Sequence, residues 1–231
     1  MKVKTSILYS LKHSLPIMLG FFPVGILYGI LMNVNGYGFQ WTGLCSVVVF
    51  AGSLQYLMID FFNGSESYFS IAMMALLLNC RHVFYGLPFI EKWSEYGPLK
   101  YLLIFLLPDE TFSLDISNEI TEQLDEKLVF LFNGIFVFLY WLVFTVSGSL
   151  LGSLIPFGTD GMDFALTALF AVITIEQFKS NKSKIPGIIG IGSSLVCLLI
   201  FGPSYFILPS LVISIIFLVV FRRKLEAVYD D

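Results

Sequence analysis

The sequence predicts an all-α membrane protein, a polytopic helical bundle with about eight spans. Of its 231 residues, 57% are hydrophobic and 13% are charged, whereas about 25% of a soluble domain is charged. The mean hydropathy is +0.84, and apolar runs of roughly 20 residues, enough to cross a bilayer, recur along the chain. No segment between these runs is long enough to hold a second core. We therefore expect residues 1–231 to form a single integral membrane domain.

The basic residues near the ends of the spans predict the orientation of the chain. With eight spans, ten Lys and Arg side chains fall on the side of the two termini and only Lys92 and Lys100 on the other, so both termini are predicted to be cytoplasmic. A re-entrant segment at Pro98–Asp115 would give seven spans and remove this asymmetry. The predicted spans are about 7–32, 41–62, 68–90, 98–115, 128–151, 164–178, 185–201 and 205–221.

The first span has an unusual number of helix-breaking and small residues. Pro23 removes a backbone donor and Gly25 follows closely, so we expect a kinked or broken helix whose free backbone groups face a cavity. The alternative is a glycine-rich packing face with an ordinary proline kink. A second helix break is expected at Pro108, where apolar sequence changes abruptly to polar.

Two polar interruptions stand out in the apolar stretch between Ser70 and Asp115. They are Asn79–His82 and Pro108–Thr111. Charged groups at membrane depth are costly unless they face protein or water, which makes them candidate functional residues. The Arg81 guanidinium suits a carboxylate, either that of a substrate or that of Asp109 or Glu110. The alternative is a purely structural ion pair between two broken helices.

Three titratable side chains in these interruptions are candidates for proton coupling: Asp109, Glu110 and His82. A carboxyl group in a partly dry site takes up a proton more readily than in water, as a proton carrier must. The alternatives are helix capping by Asp109 and a neutral, hydrogen-bonded His82. The two roles of Asp109 are compatible.

Polar and aromatic side chains near these groups are candidates for binding a substrate. Gln55 and Asn79 carry amides that can orient a polar ligand or hydrogen-bond across helices. Tyr28 and Tyr85, together with phenylalanines, would form an apolar pocket, although ordinary packing is the alternative for each ring. His13, beside Lys12, is expected at the membrane surface among lipid headgroups.

Several classes of function lack their sequence signature. There is no Walker A sequence, dinucleotide fingerprint, HExxH motif or GxSxG elbow, so we expect neither an enzyme nor a cofactor. The three cysteines lie singly in apolar runs and only two histidines are present, so no metal site is expected. The basic residues are dispersed among short loops, which argues against a nucleic-acid partner.

The two halves of the chain show a faint self-similarity. Each contains a glycine-rich turn, near Gly36 and near Gly158, that leads into a span with small residues ending in a glutamine. Repeated units with interrupted helices are typical of secondary transporters. Chance similarity between two apolar segments is the alternative.

Four short motifs in order along the chain resemble the signatures of a known family. They are PxxxGxxPxGxxYG from Pro16 to Gly29, FAGSLQ from Phe50, NCRHVFYG from Asn79 and LPDETFSL from Leu107. Together they resemble the AzlC family, the large subunits of bacterial branched-chain amino-acid exporters, from about Leu11 to Phe170. Cys80 and Pro108 depart from the pattern, because leucine and threonine are expected there.

The resemblance implies export of leucine, isoleucine, valine and methionine across the bacterial inner membrane, driven by protons. It also implies a small AzlD-type membrane subunit as partner. Under this reading Arg81 binds the substrate carboxylate or an acidic partner, and Asp109 or Glu110 takes the proton. A channel, a non-transporting membrane scaffold or a transporter of another small solute are the alternatives.

Overall fold

The computed structural model describes residues 2–64, 67–118, 120–154, 184–202 and 206–220, together with 171, 174, 175, 178 and 179. Every regular element in this part of the chain is helical, as the composition predicts. The helices are α1 (Lys2–Val34), α2 (Phe39–Val48), α3 (Gly52–Asn63), α4 (Tyr68–Asn79), α5 (Arg81–Gly86), α6 (Ile90–Ser94), α7 (Leu99–Phe105), α8 (Asp109–Ile116), α9 (Glu126–Leu154), α10 (Ile185–Phe201) and α11 (Ile207–Val220).

Three helical runs are long and apolar enough to cross a bilayer among the described residues. They are Lys2–Val34, Tyr68–Ser94 and Glu126–Leu154. Shorter apolar helices occupy Ile185–Phe201 and Pro209–Val220, where the seventh and eighth spans are predicted. The sixth predicted span and the second copy of the candidate repeat lie outside the described residues. The count of eight spans and the repeat therefore stay predictions.

The chain divides into two compact units. The first comprises Met1–Gly64 and Asn79–Gly158, and the second comprises Ser65–Leu78 and Thr159–Asp231. In the second unit, α10 packs on α11, and the hydroxyls of Ser193 and Ser214 hydrogen-bond across that interface. Whether the whole chain acts as one membrane domain stays a prediction.

The first unit is built on the contact between α1 and α9. Gly29 and Gly148 bring the two backbones together, because a Cβ on either glycine would collide with the backbone of the opposite helix. Nearer the start of α1, the Ser10 hydroxyl donates to the Val129 carbonyl and the Ser14 hydroxyl bonds the Tyr140 hydroxyl. Small side chains and interhelical hydrogen bonds are what hold helices together in lipid.

The helix break predicted at Pro23 and Gly25 is absent. Helix α1 runs without interruption through both residues, and Gly25 lies close to Phe144 of α9. The glycine-rich packing face is therefore the reading that the structure supports. A proline inside a membrane helix is tolerated when neighbouring groups compensate for the lost backbone hydrogen bond.

A break that the sequence did not signal divides the second predicted span. Helix α2 ends at Val48 and α3 begins at Gly52, so the segment at 41–62 is two helices rather than one, and its crossing of the membrane stays a prediction. Between them, Phe50 has a φ of 38°, a conformation that is costly for a bulky side chain. Its ring packs edge-on against Phe138, with centroids 5.0 Å apart, and this contact helps to offset the cost.

A second break separates α7 from α8. Helix α7 ends at Phe105, and Pro108 is extended with ψ of −177° immediately before α8. The break lies against α9 because Gly134 leaves room for Leu106, which a Cβ at that position would displace. The preceding segment is held by a buried cluster made up of Phe89, Trp93, Leu103, Leu107 and Phe130.

The close contact of α1 with α9 gives a test of this packing. We expect Gly29→Ala to lower the free energy of unfolding by about 1–3 kcal/mol, because the added methyl group must push two backbones apart. Gly20→Ala is the matched control, since nothing lies within 4 Å of its Cβ position. The midpoint of thermal unfolding in detergent measures both. Equal midpoints for the two variants would contradict the packing.

Candidate functional site

Both helix breaks of the first unit open onto one cavity of about 310 Å³. Small-molecule sites in proteins range from about 300 to 1,000 Å³. The residues that line it are Val49, Phe50, Ala51, Asn79, His82, Gly86, Ile104, Phe105, Leu107 and Pro108. One wall is apolar and aromatic, and the other carries an amide and an imidazole. The cavity is therefore suited to a ligand with a polar head and an apolar body.

The strongest polar contact beside the cavity joins Arg81 to Asp109. The Arg81 Nη1 atom lies 2.7 Å from Asp109 Oδ2, and the two side chains are 41% and 36% exposed. Arg81 Nη2 also donates to the Ser53 hydroxyl at 3.4 Å. One guanidinium thus connects the start of α5 with the first turns of α3 and α8. The sequence-based expectation of an acidic partner for Arg81 is met by Asp109.

His82 and Tyr85 extend this polar group along α5. His82 Nε2 lies 3.5 Å from Asp109 Oδ1, so the carboxylate is shared between two basic side chains. The His82 ring meets Tyr85 edge-on at 5.5 Å, and Tyr85 stacks on Phe112 of α8 at 4.6 Å. Tyr85 is not among the lining residues of the cavity. Its ring instead fixes α5 against α8.

Two interrupted helices point their first turns toward this region. Helix α3 begins at Gly52 and α8 at Asp109, each next to a segment that lines the cavity. The first amides of a helix lack intrahelical acceptors and carry partial positive charge. Asp109 and Glu110 are the first residues of α8, rather than caps preceding it. Their negative charges interact favourably with the positive end of that helix. The start of α3 has no acidic residue in its first turn.

Asn79 and Glu110 are two further predicted site residues. Asn79 lines the cavity, and its role in orienting a substrate stays a prediction. Glu110 is half-buried on α8, and no ion pair within the described residues includes it. The proton-coupling roles of Asp109, Glu110 and His82 stay predictions.

Gln55 and Tyr28 lie away from the cavity, in the core of the first unit. Gln55 is fully buried; its Nε2 donates to the Ser46 hydroxyl at 3.2 Å, and its Oε1 accepts from Trp141 Nε1 at 2.7 Å. Tyr28 is also fully buried and packs on Tyr56 and Trp141. Their predicted contact with substrate stays a prediction, and their observed contacts join α1, α2, α3 and α9.

Sequence reasoning missed a second polar cluster behind the cavity. Asp115 of α8 accepts from Asn133 of α9 at 2.9 Å and from Asn118 at 3.5 Å. His13 of α1, expected among lipid headgroups, bonds instead to Asn118 at 3.2 Å. The sequence shows that Asp115 and Asn133 are both polar residues next to apolar runs. No spacing rule, however, predicts a contact between positions so far apart.

The fold and the site together define an integral membrane protein of the α-helical, multi-pass class, with a polar site between interrupted helices. The sequence model described as AzlC protein matches residues 16–155. The chain belongs to the AzlC family, as the four motifs indicate.

Individual relatives agree with this assignment. The chain is 34% identical over 214 residues to the branched-chain amino acid transport protein AzlC of Bacillus subtilis, covering 93% of this chain and 84% of that protein. An uncharacterized membrane protein of Haemophilus influenzae is also 34% identical, with 93% and 88% covered. The inner membrane protein YgaZ of Escherichia coli is 23% identical over 74% of this chain and 73% of its own length. No solved structure matches the chain.

The buried amide of Gln55 provides a test of its role. We expect Gln55→Met to lower the free energy of unfolding by about 1–3 kcal/mol, since Trp141 Nε1 and the Ser46 hydroxyl lose a buried partner. The matched control is Gln40→Met, because Gln40 is exposed in the first turn of α2. Thermal unfolding in detergent measures the difference. A Gln55→Met protein as stable as the control would argue against a structural role.

Proposed function

We propose that this protein is the large subunit of a secondary transporter that exports branched-chain amino acids. The observation that carries the proposal is the Arg81–Asp109 ion pair, whose two residues do not line the cavity themselves but directly adjoin His82 and Pro108, which do. Membership of the AzlC family supports transport, and the name of the Bacillus relative supports branched-chain amino acids as substrates. Leucine, isoleucine and valine, and also methionine, are the proposed substrates.

The chemistry of the cavity suits an amino-acid zwitterion. A substrate carboxylate would bind the Arg81 guanidinium and a substrate ammonium would bind Asp109, so that one intramolecular ion pair is exchanged for two with the ligand. Both side chains are about 40% exposed or slightly less, which leaves room for this exchange. The free amides at the start of α3, near Ser53, would add to the positive potential around the carboxylate.

The apolar wall would bind the substrate's side chain. Phe50, Ile104 and Phe105 line the cavity opposite the polar residues, and burial of a leucine side chain against them is worth about 1.5–3 kcal/mol. Asn79 would orient the zwitterion. Tyr85 would hold α5 in place through Phe112, and Gln55 and Tyr28 would support the site from the core rather than contact the substrate.

Proton coupling would follow from competition for Asp109. When Asp109 is ionised it can pair with the substrate ammonium; when it is protonated that pairing is lost, so the proton and the substrate exclude each other. His82, at 3.5 Å from Asp109, would exchange the proton with this carboxyl group, and Glu110 is the next carboxyl group on α8. Substrate would then bind on one side of the membrane and a proton on the other, in alternation. Proton entry would thereby drive substrate export.

The proposed transporter has a second chain, a small membrane subunit of the AzlD type. The resemblance to the exporter family supports this partner. Membrane lipid and the partner would together cover the exposed apolar side chains of the long helices, such as Leu19, Phe22 and Val143. We place the complex in the bacterial inner membrane with both termini cytoplasmic, on the evidence of the distribution of Lys and Arg.

The central prediction is gradient-dependent efflux of leucine. Proteoliposomes preloaded with radiolabelled leucine, with both chains present, should release it faster when a pH gradient is imposed, because proton entry drives export. The matched control omits the small subunit. A flux that ignores the gradient would point to a channel, and leucine that stays trapped in folded, paired protein would point to another solute or to a scaffold.

Substitutions can distinguish a specific role of Arg81 in substrate binding from a general effect of its charge. We expect Arg81→Ala to reduce leucine efflux at least tenfold, because a charge-assisted bidentate contact is worth about 1.5–3 kcal/mol, while Arg81→Lys should retain part of the flux. Lys92→Ala is the matched control, since Lys92 forms a surface ion pair with Glu126 at 2.6 Å. Efflux from proteoliposomes with equal amounts of inserted protein measures all three. Unchanged flux for Arg81→Ala would remove Arg81 from the binding site.

A further inference from the structure

The polar cluster behind the cavity contains a buried carboxyl group with unusual surroundings. Asp115 is 6% exposed, and both amides that bond to it donate to the same oxygen, Oδ1. Asn133 is fully buried, and its own Oδ1 has no hydrogen-bond partner among the residues that the structure describes. Within the same described residues, the buried Thr111 hydroxyl, one helical turn earlier on α8, also lacks a partner. The cluster thus pairs an acid with an acceptor that lacks a donor.

No ion pair in the described part of the chain includes Asp115. The helices packed against α8 are α1, α5 and α9. Helix α9 carries no charged side chain between Leu128 and Leu154, and its Tyr140 bonds to Ser14. From α1, Lys12 is exposed, and His13 reaches Asp115 only through Asn118.

The other charged groups near α8 form their contacts at the end of that helix opposite to Asp115. Helix α5 contributes Arg81 and His82, which both pair with Asp109, and Tyr85, which stacks on Phe112. On α8 itself, Asp109 and Glu110 precede Asp115 by more than one helical turn. Their negative charges disfavour a further negative charge on Asp115. An ionised Asp115 would therefore be a buried charge compensated only by amide dipoles, which is costly.

We propose that Asp115 is a proton-binding site, in which the neutral acid is held by Asn133. On protonation, the carboxylate accepts one proton on Oδ2, and the new O–H donates to the unpartnered Oδ1 of Asn133, while the Asn133 amide continues to donate to Asp115 Oδ1. Acid and amide then exchange two hydrogen bonds. Loss of the proton restores the carboxylate and leaves the acceptor unsatisfied, as the structure shows it.

The surroundings also extend the cluster towards α1. Asn118 bonds to both Asp115 and His13, and the Ser117 hydroxyl lies 3.5 Å from His13 Nε2. Thr111 lies between Asp115 and the first residues of α8. This inference rests on the proposed transport function for its physiological role: Asp115 would hold a proton, and Asp109 would bind either a proton or the substrate ammonium.

The transport test uses Asp115→Asn in the complete complex, because asparagine has the shape of the neutral acid but cannot titrate. We expect exchange of internal for external leucine to persist, whereas efflux driven by a pH gradient falls at least tenfold. Gradient-driven efflux at the wild-type rate in Asp115→Asn would overturn the proposal. Glu95→Gln, at an exposed connection, is the matched control.

A second measurement does not depend on leucine. Infrared difference spectra of the wild-type complex in liposomes, recorded between low and high pH with isotopically labelled aspartate, should show the carbonyl band of a titrating aspartic acid. A component of that band should be lost in Asp115→Asn and retained in Asp109→Asn, which distinguishes Asp115 from the other aspartates. A spectrum that Asp115→Asn leaves unchanged would overturn the proposal, as would radiolabelled sodium binding that Asp115→Asn abolishes.

The two measurements separate the two claims. If the wild-type complex moves no leucine but shows the Asp115 band, the proposed function fails while the proton site stands. If leucine efflux follows the gradient but Asp115 does not titrate, the transporter stands and this inference fails. Should Asp115→Asn not fold, Asp115→Glu in the aspartate-labelled complex decides instead, because the component due to residue 115 must then lose its isotope shift.

Discussion

The arrangement of helices in the first unit depends on one constraint. The Arg81 guanidinium needs a partner in apolar surroundings. A cation at membrane depth is tolerated only beside compensating groups, and here these come from Asp109 of α8 and Ser53 of α3. Such convergence is possible because α3 and α8 begin beside Arg81, and they begin there because the chain breaks at Phe50 and Pro108. The ion pair therefore depends on the two breaks, and residues of both breaks line the neighbouring cavity.

Behind this site, the α1–α9 contact provides the frame. Gly29 and Gly148 allow the two helix backbones to touch, and the serines of the first turns of α1 add hydrogen bonds to α9. The core cluster around Gln55 and Trp141 then fastens α2 and α3 to the frame. Polar side chains thus serve two separate purposes in this unit: some lock the core, and others border the cavity.

The sequence predicted the class of fold, and it predicted a carboxylate partner for Arg81 that could belong to a substrate, Asp109 or Glu110, because composition and intramembrane charge leave strong signals. It placed the break at Pro108, where proline and a change to polar residues coincide. It did not indicate the break at Phe50, since a phenylalanine between apolar residues reads as continuous helix. It also overstated Pro23, because neighbouring helices can tolerate a proline, and it missed the Asp115–Asn133 pair, whose proximity arises only from the tertiary fold.

The residue at the first break is a phenylalanine in a left-handed backbone conformation, with φ of 38°. Glycine would occupy this position at little cost, whereas for phenylalanine the packing of its ring against Phe138 and Phe105 helps to offset the cost. The backbone conformation of α2–α3 is thereby tied to the packing of one aromatic ring at the cavity wall. A ligand that displaces this ring would remove the restraint, and the joint between the two half-helices would become a hinge controlled by occupancy of the cavity.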